Sequence, residues 1–235
     1  MVRVYGLYYF EEMKSILLSL TYLIGISEVF LAFYFWRNSS KNEIRRVMAF
    51  LALVTGLWVI TTAINSYSVS PLAEFRDKFT YTFGVLIVTA LLNFTIVFPY
   101  PMFRLDRLHY IFLYLPAVIF TLVIFGSHDV VSRYISSPTL SGQWFGGPLY
   151  WMYNGYLLVL YVWAMAVLYS KFKKTDGIHH RNLILVFWSI FLGGAPGIVV
   201  DVIVPLVTNQ AKYPLIGVMS SVVWLGLTTY IILKK

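Results

Sequence analysis

Seven times along this chain, a run of about 20 residues passes with at most one charged side chain, long enough to cross roughly 30 Å of hydrocarbon as a helix. The runs are Ser15 to Trp36, Val47 to Ser66, Phe79 to Phe98, Leu108 to Gly126, Leu149 to Ser170, Asn182 to Val207 and Tyr213 to Leu233. Together they use up most of the chain. None alternates apolar and polar residues in the manner of a barrel strand, and backbone groups in lipid must bond within their own segment, which leaves helices. The expectation is an all-α integral membrane protein: one domain over residues 1–235, a bundle of seven transmembrane helices, multi-pass in the cell membrane.

Composition agrees. Of 235 residues 59% are hydrophobic and 12% charged, whereas soluble domains carry about 25% charge. Too little polar surface remains to face water. The first run exceeds a signal-peptide core in length and lacks a small-residue cleavage site, so it reads as a retained helix. The longest connection, His128 to Pro148, is rich in Ser, Gly and Pro and suits an ordered cap rather than a domain. With no cysteine, the chain has neither disulfide nor thiolate chemistry.

The net charge of +8 has a topological reading. Lys and Arg gather in cytoplasmic loops, where they set orientation and meet anionic head groups, so nucleic acid is not an expected partner. One set of alternate connections carries twelve Lys and Arg, from Arg37 through Lys171 to Lys235; the other carries six, including Arg76, Lys78 and Arg133. The bias predicts an external N-terminus and a cytoplasmic C-terminus.

Polar residues inside apolar spans mark function by default, because a charge at membrane depth is expensive. Glu28 lies near the middle of the first span and Asp201 in the outer third of the sixth, just past the breaker Gly193-Gly194-Ala195-Pro196-Gly197. Each reads either as a ligand- or proton-responsive group or as an interhelical hydrogen bond that fixes packing. The breaker reads as a kink exposing carbonyls to a cavity, or as small residues packed against a neighbour. Asn65, Asn93, Tyr153, Asn154 and Tyr156, with Trp58, Trp144 and Trp151, form a candidate aromatic and amide-lined outer pocket. Aromatic belts at the membrane interface give the same composition without a ligand. Candidate ligand residues are therefore Glu28, Trp58, Asn65, Asn93, Tyr153, Asn154 and Asp201. His179-His180 with Asp176 reads as a solvated loop, so no metal site is expected, and no cofactor.

Familiar catalytic motifs are missing: no HExxH, Walker loop or GxSxG occurs. The last span has no lysine at its middle for a retinal Schiff base.

Several stretches carry a family likeness. The second span reads Arg46-Val-Met-Ala-Phe-Leu-Ala-Leu-Val-Thr-Gly-Leu-Trp58, and the third ends Leu92-Asn-Phe-Thr-Ile-Val-Phe-Pro99 before a basic loop. Tyr114-Leu-Pro116 lies early in the fourth, Gly147-Pro148-Leu-Tyr150 introduces the fifth, and Tyr213-Pro214 opens the seventh. In this layout the chain resembles the N-terminal seven-helix sensor region of bacterial and archaeal membrane histidine kinases. The resemblance implies a receptor-like module, not an enzyme. It would detect an external or membrane ligand and signal through its cytoplasmic helix ends, the output domain being absent from this chain. The partners implied are the lipid bilayer, a small-molecule or lipid ligand, and a cytoplasmic signalling protein or a second copy. The competing expectation is a small transporter or channel that uses Glu28 and Asp201; an intramembrane acid–base pair of the same two residues ranks last.

Overall fold

A computed structural model describes residues 2–40, 42–67, 73–101, 106–135, 143–208, 210–211 and 214–234, with side chains described over 15–40, 42–65, 74–101, 106–131, 146–208 and 217–234. The chain is helical nearly throughout. Helices α1 (Val2–Arg37), α2 (Glu43–Tyr67), α3 (Ala73–Val97), α4 (Arg107–Gly126), α5 (Tyr150–Lys173) and α6 (Gly177–Ile198) follow in turn. A π-helical turn (Val199–Ile203) continues α6 into the short α7 (Val204–Thr208), and α8 (Pro214–Leu233) closes the chain. Among the described residues, six stretches are long and apolar enough to cross a membrane, the sixth running from Gly177 through the π-turn to Thr208. In α8 the shorter apolar run Gly217–Leu233 follows.

Helices α1 to α6 reach beyond their apolar windows, because charged and polar residues at their ends belong to the same hydrogen-bonded ladder. Starts and stops are chemical. Asn42 accepts the Arg45 N–H at 3.2 Å to cap α2, and Asp106 accepts the His109 N–H at 3.0 Å to cap α4. That backbone bond holds the exposed Asp106 carboxyl below the usual carboxylate range. Pro99 and Pro101 follow the end of α3, where proline cannot continue a helix. Gly177, at φ 67°, makes the tight turn between α5 and α6.

Helix α3 is the hub, packed by α2, α4 and α5; 67% of its apolar window is buried, against 11% for α4. The outer face of α4 exposes Ile111, Phe112, Leu115, Val118, Ile119 and Leu122, which recur every three or four residues as one stripe. In water this would be a large aggregation-prone patch; against lipid tails it is an ordinary surface. Since lipid is as apolar as leucine, helices associate by close packing and polar ties. Gly25 and Gly56 show the first: a Cβ on Gly56 would sit 2.8 Å from the Gly25 carbonyl oxygen, so α1 and α2 touch backbone to backbone. Gly193 does the same against α8, where its Cβ would meet the Trp224 backbone nitrogen at 2.7 Å. The glycine-rich stretch is thus a packing face, and the helix runs through it unbroken as far as Ile198.

Lys171 is the strongest polar tie. Only 2% exposed, it extends its ammonium from α5 to the carbonyls of Thr95, Ile96, Phe98 and Tyr100, at 2.8, 2.6, 2.8 and 2.8 Å. Thr95 and Ile96 stand in the last turn of α3, where carbonyls lack helical donors, and Phe98 and Tyr100 just past it; a cation there also suits the negative end of the helix dipole. At the opposite end, β1 (Val131–Ile135), β2 (Gln143–Gly146) and β3 (Gln210–Ala211) form a small antiparallel sheet in that order. It joins the α4–α5 connection to the α7–α8 connection.

Replacing Lys171 by Met removes the ammonium and leaves those carbonyls unbonded. With a buried acceptor costing about 1–3 kcal/mol, we expect a stability loss of at least about 3 kcal/mol in denaturant titrations of the reconstituted protein. The exposed Lys173→Met is expected to change it by less than about 0.5 kcal/mol.

Candidate functional site

Five helices turn a polar or aromatic stripe toward one space. On α2 the stripe is Thr55, Trp58, Thr62 and Asn65; on α3 it is Asp77, Tyr81, Gly84, Val88 and Leu91. Tyr153, Leu157 and Tyr161 face it from α5, and Gly217, Ser220, Ser221 and Trp224 from α8. Helix α6 and its π-turn add Ile190, Gly194, Gly197 and Asp201. The spacings of three and four are those of single helix faces. The space they enclose measures about 200 Å³. It lies at one end of the bundle, where α2 and α6 finish and α3, α5 and α8 begin.

Two carboxyl groups reach it. Asp77 is 5% exposed. Its Oδ1 accepts from Asn65 Nδ2 at 3.2 Å, and the same amide donates to Thr80 at 3.0 Å. Asp77 Oδ2 and Asn65 Oδ1 are buried without a partner among the described residues. Asp201, half-buried, stands in the π-turn, where the Val204 N–H reaches back five residues to the Val199 carbonyl. Pro205 gives a reason for the wide turn: its ring would collide with the carbonyl four residues earlier, which belongs to Asp201. The Asp201 carboxyl then crosses to α8. A Cβ on Gly217 would lie 1.7 Å from Asp201 Oδ2 and 3.1 Å from the Trp58 ring, so only glycine at 217 lets the carboxylate and indole meet over the α8 backbone. Tyr153 donates to the Tyr81 carbonyl at 2.6 Å and Tyr161 to the Ile190 carbonyl at 3.1 Å, which fixes both phenols in the wall. Among the described residues, no Lys or Arg pairs with either carboxyl group. Lys78 turns away to the carbonyls of Phe125 and Ser127.

Of the residues singled out from sequence, Trp58, Asn65, Tyr153 and Asp201 line this cavity. Glu28 stands behind its wall: 5% exposed, it accepts from Ser221 at 2.8 Å, tying α1 to α8, while Oε2 has no partner among the described residues. Its contact on α8 falls one turn from that of Asp201 on Gly217. Asn93 is buried on α3 and donates to Tyr114 at 3.1 Å; Asn154 is buried and donates to the Tyr150 carbonyl of its own helix at 3.0 Å. Tyr156 packs on Phe120 rather than lining the cavity, and Trp151 is 65% exposed on the outer face of α5. The Trp144 side chain lies outside the described residues. His180 sets Nδ1 2.9 Å from the Phe172 carbonyl.

Sequence reading passes over Asp77, because Arg76 and Lys78 on either side make it look like a solvated loop. The signal that finds it is the run 77, 81, 84, 88 and 91, one face of a helix that starts earlier than its apolar window. The Glu28–Ser221 bond carries a prediction. Interhelical hydrogen bonds in membranes are worth about 0.6–2 kcal/mol. A double-mutant cycle of Glu28→Leu and Ser221→Ala is expected to show coupling in that range, with Glu28→Gln retaining most of it.

No curated protein shows significant similarity to the chain. Residues 20–233 match the family model described as the N-terminal 7TM region of histidine kinase, which covers the second half of α1, the helices α2 to α8 and the whole cavity. The chain belongs to that family of membrane-embedded histidine-kinase sensor regions.

Proposed function

We propose that the chain is a seven-span sensor module, N-terminus outside and C-terminus in the cytoplasm, and that the cavity between its outer helix ends receives the ligand. The supporting observation is that this one cavity is walled by five of the helices at one end of the bundle, with a carboxyl group carried on a π-turn. A molecule that fits it touches α2, α3, α5, α6 and α8 at once, and each of those helices runs on to the opposite end. Ligand binding changes the balance of two helix arrangements only if it favours one of them. The π-turn is the element best placed to pass binding on, since it carries Asp201 and interrupts the α-helical ladder between α6 and α7.

The charge bias puts the cavity at the outer end. Lys171 is committed to α3 carbonyls rather than to a loop, and without it the bias still stands at eleven to six. The basic connections at the other end then face the cytoplasm, where a signalling protein or a second copy of the chain reads the helix ends. The ligand arrives from outside or from the outer leaflet.

Two measurements test this. The chain has no cysteine, so single cysteines report cleanly. Cysteine at the exposed Pro148 is expected to react with an impermeant maleimide in intact cells, and cysteine at the exposed His179 only after permeabilisation. Spin labels at Asn38 and His179 are expected to change separation when a panel of small amines, alcohols and carboxylates is added, and to stay fixed in Gly217→Leu, whose side chain fills the cavity. No change with any compound, together with solute flux in liposomes, overturns the sensor reading.

A further inference from the structure

The cavity has an unusual charge balance. Asp77 and Asp201 both line it, and among the described residues no basic side chain pairs with either. One oxygen of Asp77 is buried and has no partner among the described residues. Its neighbour Asn65 also leaves its amide oxygen without a partner among the described residues, so two buried acceptors at this end of the cavity await a donor. A guest that donates hydrogen bonds satisfies such acceptors, and one that is also positively charged complements the two carboxyl groups. The other walls are rings: Trp58, Tyr81, Tyr153, Tyr161 and Trp224. Aromatic faces attract cations, tryptophan most of all. They serve a bare metal ion badly, because hard cations want six or more oxygens around them. The volume of about 200 Å³ sets the size. An apolar cavity of about 150 Å³ holds benzene, so this one takes a single ring with a short arm.

We infer that the cavity binds a small organic amine as its ammonium ion, the charge held between Asp77 and Asp201 and the apolar part against Trp58 and Trp224. This rests on the sensor reading for its consequence but not for its binding chemistry. Asp201 would be the responsive partner. It stands on the π-turn, makes no hydrogen bond to any described residue, and gains a counter-charge when the amine arrives. Asp77, fixed by Asn65 on the buried hub helix, supplies the stationary acceptor.

The test uses the full chain in lipid nanodiscs and three probes of one shape: 2-phenylethylamine, its neutral counterpart 2-phenylethanol, and phenylacetate. Intrinsic tryptophan fluorescence follows binding. The amine is expected to bind saturably, the alcohol at least tenfold more weakly, and phenylacetate not at all. Asp77→Asn and Asp201→Asn are each expected to weaken the amine at least tenfold while leaving the alcohol unchanged. Should Asp77→Asn fail to fold, Asp201→Asn decides, because that carboxyl holds no described hydrogen bond. Equal binding of amine and alcohol, absence of saturable amine binding, or unchanged affinity in Asp201→Asn overturns the inference. Helix-end distances separate the two readings. An amine that binds without moving the labels sinks the sensor reading and leaves the cation site. An alcohol that moves them where the amine does not sinks the cation site and leaves the sensor.

Discussion

Every feature of this molecule follows from a solvent that cannot hydrogen-bond. In hydrocarbon an unbonded amide or carbonyl has no water to fall back on, so the chain must satisfy its backbone internally. Helices do this along their length but not at their ends, and the ends are where the structure spends its polar side chains. Asn42 and Asp106 cap starts at the bundle surface. Lys171 closes a stop inside the bundle. The same constraint makes an unbonded carboxyl oxygen such as that of Asp77, at the cavity wall, informative: in water it would be commonplace, whereas here it is costly.

Helix association also departs from soluble habit. With no hydrophobic drive between helices, contact depends on how near two backbones can come and on a few polar ties. Gly25 against Gly56 and Gly193 against Trp224 supply the approach. Glu28 with Ser221 and Asn93 with Tyr114 supply ties. The most apolar outer faces, as on α4, are left for lipid, which is why burial is concentrated in α3.

The helices were legible from sequence because one number, the thickness of the hydrocarbon layer, sets the length of every apolar run. Their ends were less so: Arg76, Asp77 and Lys78 look like a loop by charge, yet they lie within α3, since a helix extends into the head-group region with its charges still laddered. The cavity was half legible. Asp201, Trp58, Asn65 and Tyr153 stand out as polar or aromatic marks in apolar spans, but their convergence depends on which helices are neighbours, and spacing along one chain does not encode that. Asn154 and Asn93 look equally polar in sequence, but each donates its amide N–H to a nearby acceptor and stands outside the cavity lining. The glycine-rich stretch before Asp201 suggests a break; the irregularity falls a turn later, ahead of Pro205, because the glycines are held straight by α8 and the proline ring is not.

The four carbonyls gathered by Lys171 have a consequence for how the bundle is made. Seventy-one to seventy-six residues separate the lysine from the groups it closes. When α3 first enters the membrane its terminus is therefore incomplete, and it stays so until α4 has crossed and α5 has followed. Neither α3 nor α5 is a finished element alone; each lacks what the other brings. The lysine acts as a latch on the order of assembly, joining the hub to its later neighbour before the final two helices arrive to enclose the cavity.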